Sequence, residues 1–130
     1  MTVDVERLIE AAKEVRERAH APYSNFYVGA AVQDENGDIH TGCNVENSSF
    51  PEGVCAEAVA IGAMVVAGGK RIAGIVAVGG PDDLIDCAPC GGCRQRILEF
   101  ADENTRIIYV NDGEFENVGI SDILPASFRL

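Results

Sequence analysis

Val54-Cys55-Ala56-Glu57-Ala58-Val59-Ala60-Ile61-Gly62-Ala63-Met64-Val65-Val66-Ala67 is apolar on nearly every face and is followed by Gly68-Gly69. A helix with so little polar surface belongs in the middle of a fold, and the glycine pair supplies its stop. Elements on both sides must therefore cover it. Upstream, Val5, Leu8, Ile9, Ala12, Val15 and Ala19 recur at helical spacing, which predicts an amphipathic helix over 4–20 ended by Pro22. Phe26 to Val32 reads as a strand, Glu35-Asn36-Gly37-Asp38 as a hairpin turn, and Ile39 to Val45 as the returning strand. Downstream, Ile72 to Val78 reads as a short buried strand and Pro81-Asp82-Asp83 as a turn. Cys90 to Ala101 reads as a helix and Arg106 to Asn111 as a strand, with Ser121 capping a last helical turn that Pro125 ends. The order α-β-β-α-β-α-β predicts a layered α/β/α arrangement.

A chain of 130 residues fits a single domain, 1–130, with a core that needs no disulfides. Its start carries no basic region followed by an apolar segment, and no apolar run reaches the length of a membrane span. The expectation is an unexported, cytoplasmic protein with no membrane partner. In that setting five cysteines read as reduced thiols for metal or catalysis. Ten basic residues against 21 acidic ones give a net charge of −11, which argues against tracking a polynucleotide.

Cys55-Ala56-Glu57 and Pro89-Cys90-Gly91-Gly92-Cys93 carry the chemistry. Three thiols can hold one zinc ion and leave its fourth position open, as catalytic sites do. Cys90 and Cys93, three apart on a helix, face the same side. A zinc–trithiolate centre keeps a net negative charge, which two helix N-termini aimed at it would offset. Glu57, two residues from the first thiol in apolar company, is placed to carry a proton rather than to bind metal. A surface glutamate is the plain alternative. A closed, structural four-thiolate site that adds Cys87 is the other, although Ala88-Pro89 separates Cys87 from the helix face.

Those two elements, together with Ala21-Pro22-Tyr23-Ser24-Asn25-Phe26, Val28-Gly29-Ala30-Ala31, Thr41-Gly42-Cys43-Asn44-Val45-Glu46-Asn47, Cys93-Arg94-Gln95 and Leu124-Pro125, resemble the small zinc-dependent cytidine deaminases. The resemblance covers nearly the whole chain. It implies a three-layer α/β/α sandwich around a mixed sheet of about five strands. It implies hydrolytic deamination of cytidine and 2′-deoxycytidine in pyrimidine salvage, with zinc-bound hydroxide attacking C4 and Glu57 moving the protons. By the same resemblance Cys55, Cys90 and Cys93 hold the zinc, and Asn44 and Glu46 bind the ribose 3′-hydroxyl. Phe26 packs on the nucleoside and Ala56 lines its site. The family is homotetrameric, which makes Phe50 and Phe128 candidates for completing a neighbour's site.

Ala58 stands where many relatives carry an arginine that hydrogen-bonds the thiolates, so Arg94 becomes the candidate for charge compensation. Ser48-Ser49-Phe50-Pro51-Glu52-Gly53 also departs from the commoner family stretch. Competing readings are a deaminase of modified cytosine nucleosides of the blasticidin-S type, a non-catalytic zinc-stabilised binding module, and a polynucleotide deaminase. Cys43 is expected as a small buried apolar residue, and His20 and His40 as solvated.

Overall fold

In the computed structural model, which describes residues 2–130, alternation along the central strands sorts their side chains into two cores. The elements are α1 (Val5–Arg16), β1 (Tyr27–Asp34), β2 (Ile39–Cys43), a 3₁₀ turn (Phe50–Glu52), α2 (Ala56–Val66), β3 (Ile72–Gly80), α3 (Gly91–Glu99), β4 (Arg106–Asn111), β5 (Glu114–Val118) and α4 (Ile120–Ile123). They form one sheet in the order β2-β1-β3-β4-β5, with β3 and β4 parallel and the other pairs antiparallel. Ala31, Val76, Val78 and Ile108 pack against Leu8 and Ala12 of α1. Their neighbours Ala30, Val32, Ile75, Ile107 and Tyr109 face the other way, onto α2, α3 and α4. The sheet therefore lies between one helix and three, a three-layer α/β/α sandwich. Every residue of β3 is buried, as a central strand covered on both faces must be.

Two close approaches fix the layers. At Gly29 a Cβ would stand 2.0 Å from the Ala12 carbonyl oxygen, so α1 lies directly on β1. At Gly42 a Cβ would stand 2.3 Å from Ala60 N and 2.6 Å from the Ala56 carbonyl oxygen, so α2 lies directly on β2. The second contact places the first turn of α2, and with it Cys55 and Glu57.

Several boundaries differ from the sequence expectations. α1 ends at Arg16, not near residue 20, and Pro22 does not end it. The chain tightens through i→i−3 bonds, Arg18 N–H to Val15 and Ala19 N–H to Arg16. His20 then pairs with the backbone beyond β2, donating to the Asn44 carbonyl and accepting from Glu46 N–H. Arg16 is buried at this junction, where its guanidinium donates to the Tyr27, Gly80 and Asp82 carbonyls at 3.0, 2.7 and 2.8 Å. β1 runs on to Asp34, and β2 stops at Cys43, after which Val45 makes only isolated bridges.

The residue pattern did not locate β5, the fifth strand that the resemblance implies; it is a short edge strand reached through a tight turn at Asp112-Gly113, both with positive φ. Gly119, not Ser121, is the N-cap of α4, and Asp122 accepts its N–H at 2.8 Å. His20 is exposed as expected, Cys43 is half-buried, and His40 is not solvated. Its Nε2 lies 2.8 Å from the buried Asp34 carboxylate. Burial opposes ionisation of Asp34, but hydrogen bonds from His40, Asn36 and Asp38 outweigh it and hold the carboxyl below its ordinary range. Met1, the first residue of the expected domain, lies outside the described residues.

Because backbone rather than a flexible side chain meets Gly42, Gly42→Ala cannot be absorbed by a rotamer change. It is expected to destabilise the fold by about 3 kcal/mol, read as a lower denaturation midpoint with unchanged slope.

Candidate metal and active site

Cys55 is the N-cap of α2 and Cys90 the N-cap of α3, while Cys93 lies three residues on in the first turn of α3. Both helices thus start at the thiols, as the sequence reading had them. The Cys55 side chain makes no cap hydrogen bond, whereas the Cys90 sulfur accepts from Cys93 N–H at 3.4 Å. The three Sγ atoms lie within 4.8 Å of one another, with Cys55 and Cys90 4.0 Å apart. Zinc–thiolate bonds of about 2.3 Å put tetrahedral sulfurs about 3.8 Å apart. The donor set therefore fits zinc with small side-chain adjustments, and a tetrahedral ion would keep one position open.

Among the described residues Cys87 does not join this group. Its sulfur lies with the Phe26 ring over Gly79, where a Cβ would meet them at 2.8 and 2.9 Å. Burial, then the charges of Glu57 and Cys55, push its thiol up to about 11. The Cys55 thiol is instead brought down to about 6 by hydrogen bonding with Cys93, which outweighs burial, with help from Cys90 and Arg96. The same exchange, with Cys55 first and burial second, drives Cys93 upward.

A cavity of about 340 Å³ opens beside the thiols, lined by Asn44, Glu46, Phe50, Ala56, Glu57 and Cys87 among others. Glu57 is 5% exposed, and burial raises its carboxyl above the usual range despite a hydrogen bond from its own N–H. A carboxyl lifted toward neutrality can both take and give a proton. Ala56, at the first position of α2, is buried at the cavity wall.

Asn44 and Glu46 reach the same cavity while holding the segment that precedes β1. The Asn44 amide accepts from Val28 N–H at 2.8 Å and donates to the Phe26 carbonyl at 2.9 Å. One amide N–H remains to it. Glu46 accepts from Tyr23 N–H at 2.9 Å, Ser24 N–H at 3.1 Å and the Ser24 hydroxyl. The Ser24 hydroxyl bond, ahead of burial, holds this carboxyl below its usual range.

Phe50 is 73% exposed and stacks edge-on with Tyr23 at 5.7 Å, at the rim between the cavity and an adjacent depression of equal volume. That depression holds none of the thiols. The remaining candidates lie elsewhere. Phe26 is half-buried behind the cavity and does not line it. Phe128 sits along α3, where its carbonyl accepts from Gln95 at 3.1 Å, away from this chain's own cavity. Arg94 donates to the Pro89 and Ile123 carbonyls at 2.8 and 2.9 Å and ties the start of α3 to α4. Its guanidinium is spent on carbonyls, not thiolates, which corrects the sequence expectation. The arginine that does approach a sulfur is Arg96, whose Nη1 is 4.0 Å from Cys93 Sγ. Its spacing from Cys93, one helical turn, was the signal available in the sequence.

A layered α/β/α fold with three convergent thiols and a buried carboxylate at a cavity defines a metal-dependent enzyme of the zinc deaminase class. The family model for the cytidine and deoxycytidylate deaminase zinc-binding region matches residues 2–110. A cytidine deaminase from Sporosarcina psychrophila is 38% identical over 127 residues, covering 97% of this chain and 92% of that protein. The crystal structure of cytidine deaminase from Mycobacterium tuberculosis superposes with a TM-score of 0.86 at 35% identity, covering 99% and 100% of the two chains. That from Burkholderia pseudomallei gives 0.85 at 40% identity, covering 98% and 100%. The chain belongs to the cytidine and deoxycytidylate deaminase family.

If three thiols hold the ion, Cys87→Ser retains stoichiometric zinc through purification and dialysis, whereas Cys93→Ser loses it. Metal analysis by atomic absorption reads both, and zinc loss from Cys87→Ser would restore the four-thiolate site.

Proposed function

We propose that this chain hydrolytically deaminates cytidine and 2′-deoxycytidine to uridine and 2′-deoxyuridine, releasing ammonia. The observation that carries the reading is a buried carboxyl, raised above its usual range by burial, beside three convergent thiols and across one cavity from Asn44 and Glu46. Zinc held by Cys55, Cys90 and Cys93 supplies the Lewis acidity that makes water a nucleophile at neutral pH. Glu57 takes one proton of the attacking water and delivers it to N3 of the ring, then takes the second from the hydroxyl now on C4 and passes it to the amine, which leaves as ammonia while the C4 carbonyl forms. Ala56 gives the base a wall without bulk. The spare amide N–H of Asn44 and the free lone pair of Glu46 receive a sugar hydroxyl.

The family includes nucleotide as well as nucleoside deaminases, and the cavity favours the nucleoside. Its lining carries the Glu46 and Glu57 carboxylates and, among the described residues, no lysine or arginine to meet a phosphate. The net charge of −11 argues in the same direction against nucleic acid. No helix among the described residues is long and apolar enough to cross a membrane. We read residues 1–130 as one domain acting in the cytoplasm. Exposed Phe50 and Phe128 support a homotetramer in which neighbours complete the sites, with Phe26 backing the substrate from behind the wall.

The zinc-loaded protein is expected to consume cytidine and 2′-deoxycytidine, followed by loss of the aminopyrimidine absorbance. The 5′-phosphate should fall about 100-fold in kcat/KM, as an unmatched dianion near a carboxylate requires. Activity confined to blasticidin S would replace the substrate class, and no turnover at full zinc occupancy would overturn the enzyme reading. Glu57→Gln should lower kcat about 10³-fold with zinc retained; a non-catalytic module would be indifferent to it. Light scattering should give a particle four times the 13.8 kDa chain, and a monomer would refute shared sites.

A further inference from the structure

Three thiolates around a divalent ion leave a net negative charge, and the buried Glu57 lies beside them. On α2, Ala58 offers no long side chain toward the sulfurs, and Arg94 is engaged with carbonyls. The uncompensated charge is nevertheless approached from α3. Arg96 Nη1 stands 4.0 Å from Cys93 Sγ. A Cβ built on Gly92 would stand 3.2 Å from that same nitrogen and 4.0 Å from Cys90 Sγ. The guanidinium therefore lies beside the Cys93 sulfur, over the first turn of α3 at Gly92.

We propose that Arg96 is the cation that offsets the thiolate charge of this site. A guanidinium carries a positive charge and several N–H donors, which it can turn toward the Cys93 sulfur. Drawing electron density from the sulfurs leaves the ion more electron-poor, and relieving their mutual repulsion favours keeping it. Arg96 is thus a positioning residue that acts through Cys93, not a group that meets substrate. The inference rests on the reading of Cys55, Cys90 and Cys93 as zinc ligands.

The test compares wild type with Arg96→Ala and Arg96→Lys. Each is loaded with cobalt(II) to record the thiolate-to-metal charge-transfer band, and with zinc to measure loss to a competing chelator. Arg96→Ala is expected to move the band to lower energy and to release zinc about 10-fold more readily. It should lower kcat for cytidine while leaving KM nearly unchanged. Arg96→Lys should recover most of each property. An unmoved band and unchanged zinc retention in a folded Arg96→Ala protein would overturn the proposal. A wild type that binds cobalt through its thiols yet deaminates no nucleoside would sink the functional reading alone, since band and chelator still decide Arg96. A wild type that takes up neither metal would sink both.

Discussion

Where Gly42 faces α2, backbone meets backbone, because a Cβ would come within 2.3 Å of Ala60 N. A helix this apolar could slide or roll on a sheet, since few of its contacts are directional. The missing side chain removes that freedom by letting helix and strand interlock. Two residues beyond Gly42 the same strand passes into Asn44 and then Glu46, which face the cavity opened by α2. The thiol end of the site and its polar end are thereby referenced to one piece of chain.

The layered architecture was legible because each buried element declares itself. The wholly apolar helix, the β1–β2 hairpin turn and the unbroken Ile72–Val78 run all lie where their patterns put them. Edges were harder. β5 alternates weakly, with one face open to solvent, so Glu114–Val118 carries little of the hydrophobic signal that marks a strand. The end of α1 depends on Arg16 meeting carbonyls from β1 and β3, partners that local sequence cannot reveal.

In the site, the thiols and Glu57 were readable because their spacing along two helices survives folding. What the side chains of Asn44 and Glu46 also do was not readable. Both also hold residues 23–28, Asn44 with one acceptance and one donation and Glu46 by accepting two backbone N–H bonds and the Ser24 hydroxyl. The two arginines of α3 exchanged roles for a similar reason. Arg94 follows Cys93 directly and leaves the helix on another side, toward the Pro89 and Ile123 carbonyls, whereas Arg96 lies one turn on from Cys93 and reaches its sulfur.

Cys55 and Cys90 head α2 and α3 at positions where serine or aspartate would ordinarily satisfy the first turn, and Cys55 offers no side-chain hydrogen bond there. Whatever negative charge remains on the loaded thiolates then does the work of a shared anionic cap for two helices. That charge is also what blunts the ion as an acid. The domain's rigidity and its chemical power therefore draw on one electrostatic quantity in opposite senses. A variant that sharpens the ion should soften the helix ends around it.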